Sequence, residues 1–190
     1  KIVLIFIIFL IVLLFFVFFI IGTYNNLIKL RLIVQNAWSQ IDVQLKRRHD
    51  LIPNLVNAVK GYMKYEQETL QKVIEARAKA ITASGTGDVR KIAEAEGELG
   101  GVLTRLFALF ENYPELKANE NVLKLQEELT HTENNIAFSR QHFNDSVMRY
   151  NTAIQVFPNN IIAGIFNFKP YDFFEAPGEE KESPRVNLEF

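Results

Sequence analysis

The sequence predicts an all-α protein in which an N-terminal transmembrane helix leads into a bundle of long helices. Three observations predict this fold: an unbroken apolar run at the start, helical spacing of apolar residues in most of the remaining chain, and breaker residues confined to short clusters. No stretch shows the period-two alternation that is typical of a half-buried strand.

The first element is an apolar helix. Residues 2–21 are twenty consecutive Ile, Leu, Val and Phe residues. At about 1.5 Å per residue, such a helix spans ~30 Å, which is the thickness of a bilayer's hydrocarbon core. No small-residue cleavage site follows Ile21. We therefore predict that residues 1–22 form a signal anchor that stays uncleaved and contacts the lipid bilayer through residues 2–21.

The basic residues near this segment predict its orientation. Lys1 precedes the apolar run, whereas Lys29 and Arg31 follow it closely. Because basic residues favour the cytoplasmic side of a membrane, we expect the N-terminus outside and the bundle in the cytoplasm.

The composition of the rest of the chain excludes several functions. When Lys1 is subtracted from the 21 basic residues, 20 remain against 22 acidic residues, so no general attraction to nucleic acid is expected. The chain contains no cysteine, which excludes disulfides, thiolate metal sites and a cysteine nucleophile. No cofactor is predicted.

The bundle is predicted over residues 23–158. The breaker clusters lie at residues 84–88, 113–119 and 158–160, and they leave helices at about residues 24–83, 88–112 and 119–156. Asp88 and Asn119 are expected to cap two of these helices, because their side chains can accept hydrogen bonds from free backbone N–H groups.

Pro53 leaves two alternatives for the first bundle helix. The chain could reverse at residues 47–50, with Asp50 capping a new helix, and so form an up-and-down four-helix bundle. Alternatively, one long helix could be kinked at Pro53 within a three-helix bundle. The apolar seam favours the kink, because its steps of four and three continue through Pro53 at positions 34, 38, 41, 45, 48, 52, 55, 59 and 62.

The chain ends in two segments of different composition. Residues 159–175 are apolar and aromatic but too short to span a bilayer, and we interpret them as an amphipathic segment. Residues 176–190 are rich in acidic residues and contain two prolines, which predicts a disordered tail.

Two groups of residues resemble functional motifs, one a metal site and the other a lipid-binding site, but neither motif is complete. Glu128 and His131 have the Glu-x-x-His spacing of half a di-iron site, but no second copy of this motif occurs, so a polar helix face is expected. The basic run of residues 46–48 begins 24 residues after Gly22, about 36 Å along a straight helix, which is too far to reach lipid head groups. A structural or partner-binding role is expected for this run.

Charged residues on the predicted seams form the main candidate site. On the last long helix, Gln126, Glu133 and Arg140 interrupt an otherwise apolar seam at intervals of seven. Because an unpaired buried charge is costly, we predict a structural polar network that fixes helix register, although these long side chains could instead reach water. The predicted network consists of Arg48, Glu66, Arg77, Glu96, Glu133 and Arg140.

Three stretches of sequence resemble the LemA family of bacterial single-pass membrane proteins. The first comprises Ala37-Trp38, Ile41, Gln44-Leu45-Lys46-Arg47-Arg48, Asp50-Leu51-Ile52-Pro53-Asn54-Leu55-Val56, Val59-Lys60-Gly61-Tyr62 and Glu66. The second runs from Glu111 to Asn119. The third comprises Leu125-Gln126, Leu129, Glu133, Ile136-Ala137, Arg140, Tyr150-Asn151 and Phe157-Pro158.

The resemblance implies an up-and-down four-helix bundle on a single membrane span, and it brings no established catalytic residues. Phe143 departs from the family pattern, which more often has tyrosine there, so a hydroxyl group is missing.

The expected function is that of a membrane-anchored scaffold or adaptor without catalytic activity. Long helices with heptad, coiled-coil-like spacing predict a homo-oligomer, and other membrane proteins are further expected partners. Two alternatives remain at this level. One is a metal-dependent carboxylate/histidine enzyme built on Glu128 and His131, and the other is a bundle that relays a signal across the membrane.

Overall fold

The computed structural model describes residues 2–175, so the predicted tail at residues 176–190 lies outside the described residues. The described chain forms helices α1 (Ile2–Val59), α2 (Gln67–Ser84), α3 (Val89–Leu109), α4 (Pro114–Lys117), α5 (Glu120–Gln155) and α6 (Asn159–Ile165). A single 3₁₀ turn, Phe110–Asn112, precedes α4. No strand occurs between residues 2 and 175. The predicted all-α fold class is confirmed.

Helix α1 continues through Pro53 without interruption. The reversal predicted as one alternative at residues 47–50 is therefore wrong. Packing favours this continuation, because Ile52 before the proline and Leu55 and Val59 after it belong to one core cluster. Buried members of the seam are Val34, Ile41, Leu45, Arg48, Ile52, Leu55 and Val59.

The chain reverses instead at residues 60–66. The backbone N–H groups of Tyr62 and Met63 both donate to the carbonyl of Val59 at 3.0 Å, which closes the turn. Met63 fills the core from this turn, whereas Tyr62, the last predicted member of the seam, is exposed. The helix predicted over residues 24–83 is therefore divided in two.

The predicted capping residues are confirmed. The Asp88 side chain accepts hydrogen bonds from the backbone N–H groups of Arg90 and Lys91 at the start of α3. The Asn119 side chain accepts from the N–H groups of Asn121 and Val122 at 3.0 and 3.3 Å. Both caps satisfy donors that have no partner within the helix.

The described chain forms two compact units. The second unit contains residues 42–138, and its core receives side chains from the end of α1, from α2, from α3 and from the beginning of α5. This unit is a four-helix bundle, so the three-helix alternative is wrong because the chain turns at residues 60–66. Its largest fully buried side chains include Ile52, Leu55, Met63, Leu99, Leu103 and Leu106.

The first unit contains residues 2–41 and 139–172. Helices α1 and α5 pack here through aromatic and aliphatic side chains, and the rings of Trp38 and Phe143 lie 5.4 Å apart. Tyr150 and Val147 on α5 and Leu27 and Val34 on α1 are buried in this unit.

Candidate functional site

A cluster of charged side chains lies inside the four-helix bundle of the second unit, with Arg48 of α1 at its centre. Nη1 of Arg48 donates to Oε2 of Glu96 on α3 at 2.9 Å and to the backbone carbonyl of the same residue at 3.2 Å. Nε and Nη2 of Arg48 donate to the two carboxylate oxygens of Glu133 on α5, each at 2.6 Å. One guanidinium group therefore joins three helices.

The cluster is shielded from water on one side only. The side chains of Arg48 and Glu96 are 4% and 3% exposed, whereas that of Glu133 is 34% exposed. Desolvation of a buried ion pair is costly and is offset only when the geometry is good and the remaining donors are satisfied. The bidentate contact with Glu133 and the second bond to Glu96 meet this condition.

A glycine gives the guanidinium group room. A Cβ atom on Gly100 of α3 would lie 3.4 Å from Nη2 of Arg48. This distance is at the edge of ordinary van der Waals contact, so the backbone of α3 lies directly against the guanidinium group.

His49 and Arg77 extend the cluster to the fourth helix. Nε2 of His49 lies 2.8 Å from Oε1 of Glu96, so both carboxylate oxygens of Glu96 have partners. Pro53 has no backbone N–H and cannot donate to the carbonyl of His49, four residues earlier in α1. Nε of Arg77 on α2 donates to this carbonyl at 2.7 Å. Helix α2 therefore supplies the hydrogen bond that the proline removes from α1.

The structure brings four of the six predicted residues together. Arg48, Glu96 and Glu133 share ion pairs, and Arg77 joins them through the backbone of His49. Glu66 lies elsewhere in the bundle and accepts a hydrogen bond from the Tyr113 hydroxyl at 3.5 Å. Burial and the Glu66 carboxylate together raise the pKa of Tyr113. Arg140 is half-buried on α5 in the first unit, and its part in a network stays a prediction.

Sequence reasoning did not identify His49 or Gly100. The signal for His49 was its position four residues before Pro53, since the carbonyl at that place must find a donor outside its own helix. Gly100 gave no signal, because a glycine that admits a side chain from another helix looks like any other glycine within a helix.

The residues considered for metal chemistry have other partners. Glu128 forms an ion pair with Arg47, and the ring of His131 is hydrogen-bonded to Asn135 at 3.1 Å. Both side chains are exposed on α5. Within residues 2–175, no group of three or more histidines and carboxylates is placed to hold a metal ion.

The basic run of residues 46–48 is paired within the second unit. Lys46 contacts Asp42 at 2.6 Å, Arg47 contacts Glu128, and Arg48 contacts Glu96 and Glu133. All three basic side chains therefore form ion pairs with carboxylates of the same unit.

The apolar start of α1 differs from the rest of the described chain. Residues 2–21 are all exposed, and by length and composition α1 is the one helix among residues 2–175 that could cross a membrane. Together with the bundle, this helix defines the class: a membrane-associated all-α protein with a polar cluster inside a four-helix unit.

Comparison with known proteins gives the family. The profile of the LemA family matches residues 37–188, and the chain belongs to this family. The resemblance seen in the sequence is thus confirmed.

Several relatives have similar sequences. The chain is 28% identical over 163 residues to Protein LemA of Metamycoplasma hominis, and this match covers 85% of the chain and 73% of the relative. It is 25% identical over 174 residues to Magnetosome protein MamQ of Magnetospirillum gryphiswaldense, covering 80% of the chain and 64% of that protein. A MamQ protein of Paramagnetospirillum magneticum is 24% identical over 175 residues, with the same coverage. The chain thus spans less than two thirds of the MamQ proteins.

Proposed function

We propose that this chain is a membrane-anchored helical-bundle scaffold or adaptor that self-associates and has no catalytic activity. The continuity of α1 carries the proposal: its exposed apolar residues 2–21 and the core residues Ile52, Leu55 and Val59 belong to one helix. Exposed apolar surface of this extent needs a lipid environment. The same helix that enters the bilayer thus builds the bundle that stays outside it.

The charged cluster supports a structural role. Every hydrogen bond described for the Arg48 guanidinium goes to a carboxylate or carbonyl group of the bundle itself. Polar groups placed in this way hold helices in one register and one pairing. The names of the LemA and MamQ relatives also refer to no reaction.

An apolar stripe on α2 supports self-association. Ile74 and Ile81 are 45% and 42% exposed, and they lie seven residues apart, on one side of the helix, with exposed Ala78 between them. Apolar residues at this spacing form the contact between helices in coiled coils. We propose that a second copy of the chain, or another membrane protein, covers the stripe.

The mass and metal content of this chain in mild detergent test this proposal. We expect a protein mass that is a multiple of the 21.9 kDa chain, and no bound metal. A monomer would contradict self-association. Retained metal that is lost in the variants Glu128→Gln and His131→Ala would favour the metal-dependent enzyme.

The proposal includes a retained anchor with a cytoplasmic bundle. N-terminal analysis of the protein from membranes should find the apolar segment present, and a chain that starts between Gly22 and Leu30 would show cleavage. The chain has no cysteine, so Ser39→Cys gives a single labelling site. An impermeant maleimide should label this cysteine only from the cytoplasmic side. Labelling in intact cells would show that the bundle lies outside the cell, opposite to the expected orientation.

A further inference from the structure

Helix α6 presents an apolar surface in the first compact unit. Ile161 and Ile165 of α6 are 54% and 71% exposed, and Phe166, directly after the helix, is 49% exposed; we call these three residues the α6 surface. Ile162 and Ala163 of the same helix are buried. A helix that packs on a protein and faces water normally places polar residues on its outer side. The exposed side of α6 contains Asn160 and Gly164 beside Ile161 and Ile165, and its apolar part indicates that something other than water covers it.

The position of α6 is fixed by the segment that follows it. Asn167 adopts a left-handed conformation with φ 55°, and the N–H of Phe168 donates to the carbonyl of Ala163 at 2.9 Å, which ends the helix in a tight turn. Beyond the turn, the Tyr150 hydroxyl donates to the carbonyl of Lys169 at 3.1 Å.

Asn151 secures the same segment with two hydrogen bonds. Its side-chain amide donates to the carbonyl of Tyr171 at 2.9 Å and accepts from the N–H of Tyr171 at 3.0 Å. The α6 surface is therefore part of the packed unit and is held at a defined place along α5.

Ring contacts place this surface next to the apolar part of α1. The centroid of the Tyr24 ring lies 4.7 Å from that of Phe166 and 5.7 Å from that of Phe168. Tyr24 is three residues after Ile21, about 5 Å along the helix axis. The polar layer on each side of a bilayer is roughly 5–8 Å thick, so Phe166 lies at the level of the lipid head groups if residues 2–21 span the hydrocarbon core.

We infer that the α6 surface binds the lipid bilayer itself, at the boundary between head groups and acyl chains, as a second contact beside the spanning helix. The α6 surface adjoins the exposed apolar residues of α1. The same lipid environment can therefore cover both apolar surfaces. Exposed Lys29 and Lys169 add cations that suit lipid phosphates, and Tyr24 and Phe166 are of the aromatic type that occupies this layer.

The inference rests on the proposed membrane insertion of residues 2–21, and a set of single-cysteine variants separates the two. The full chain, which has no native cysteine, is spin-labelled at Ile165→Cys, Phe18→Cys or Ser39→Cys and placed in phosphatidylcholine/phosphatidylglycerol vesicles. Oxygen partitions into lipid and a nickel chelate stays in water, so the ratio of their effects on the label reports its depth. Ser39 lies 18 residues beyond Ile21, about 27 Å along the axis, and serves as the water reference.

We expect the Ile165 label to lie near the level of the lipid phosphates, between the deep Phe18 label and the aqueous Ser39 label. The inference would be overturned if the Ile165 label were as accessible to the nickel chelate as the Ser39 label while the Phe18 label lay deep in lipid. That result would leave the proposed anchor intact. A Phe18 label in water would overturn the anchor and the inference together. Spin–spin broadening at Ile165 that disappears on dilution with unlabelled chain would assign the surface to a second copy and overturn lipid binding.

Discussion

Arg48 places a positive charge inside the second unit, where carboxylates from two other helices compensate for it. Removal of one partner from a buried ion pair leaves the other charge without compensation. We therefore expect Arg48→Ala to lower the free energy of unfolding by about 3–5 kcal/mol. Chemical unfolding of the chain in detergent, followed by helical circular dichroism, measures this loss.

Arg47 provides a matched control for this prediction. It is the neighbouring residue, of the same type, and its ion pair with Glu128 is about half exposed on both sides. Exposed ion pairs contribute little, so Arg47→Ala should cost less than about 1 kcal/mol. The double variant Arg48→Met with Glu96→Leu should recover part of the loss seen in Arg48→Ala, since the fully buried carboxylate is removed and only Glu133, 34% exposed, is left without Arg48. Equal losses in Arg47→Ala and Arg48→Ala would contradict the burial of this charge.

Asp88 makes the start of α3 sensitive to acid. Backbone hydrogen bonds from Lys91, followed by one from Arg90, hold the pKa of this carboxyl below its ordinary value of 3.8. A lowered pKa in the folded state means that the carboxylate stabilises the fold above the unfolded pKa, and that this stabilisation disappears as the pH falls through the folded pKa.

Asp88→Ala should therefore melt at a lower temperature than the natural chain at pH 7, and this difference should shrink below about pH 3.8. Asp88→Asn retains an acceptor oxygen without a titrating group, so it should keep most of the cap at every pH. A difference between Asp88→Ala and the natural chain that stays constant down to pH 2 would show that the carboxylate charge has no part in the cap.

At the scale of elements, α1 shows what spacing can and cannot predict. The steps of four and three through Pro53 predicted an unbroken seam, and Ile52 and Leu55 on either side of the proline are buried as expected. The turn at residues 60–66 was missed, because the seam continues to Tyr62 and the region has only a single glycine. The packing of Met63 in the core favours the turn, and a spacing pattern within one helix contains no information about that contact.

The candidate site, like α1, could be predicted only in part from the sequence. Spacing identified Arg48, Glu96 and Glu133 as inward-facing, and the structure joins them. Periodicity gives the side of a helix on which a residue lies but not its partner on another helix. The bond between Arg77 and the His49 carbonyl was therefore not predicted, although Pro53 implied that this carbonyl needed an outside donor.

This bond between α2 and α1 leads to a prediction for the two helices. Arg77→Ala should leave the His49 carbonyl without a donor and cost about 1–3 kcal/mol, as an unsatisfied buried acceptor does. In a Pro53→Ala background the new backbone N–H can donate to the same carbonyl, so Arg77→Ala should cost less there. A double-mutant cycle in chemical unfolding measures the difference. Equal costs in both backgrounds would show that Arg77 acts independently of the proline.

At the scale of the whole molecule, membership of the LemA family and the one helix within residues 2–175 that could cross a bilayer define a membrane-associated helical protein. The proposed role adds that copies of the chain associate through α2. The exposed pair Ile74 and Ile81 can be made polar without disturbing the core, because neither residue is buried. Val43, 60% exposed, offers an apolar surface position on another helix, α1, for comparison.

The most direct measurement is co-purification of two differently tagged copies from one membrane, released into polymer-bounded lipid discs without detergent. We predict that one tag recovers the other, that Ile74→Ser with Ile81→Ser greatly reduces this recovery, and that Val43→Ser leaves it unchanged. Recovery of only one tag from discs that contain the intact, unaltered chain would contradict a self-associating scaffold.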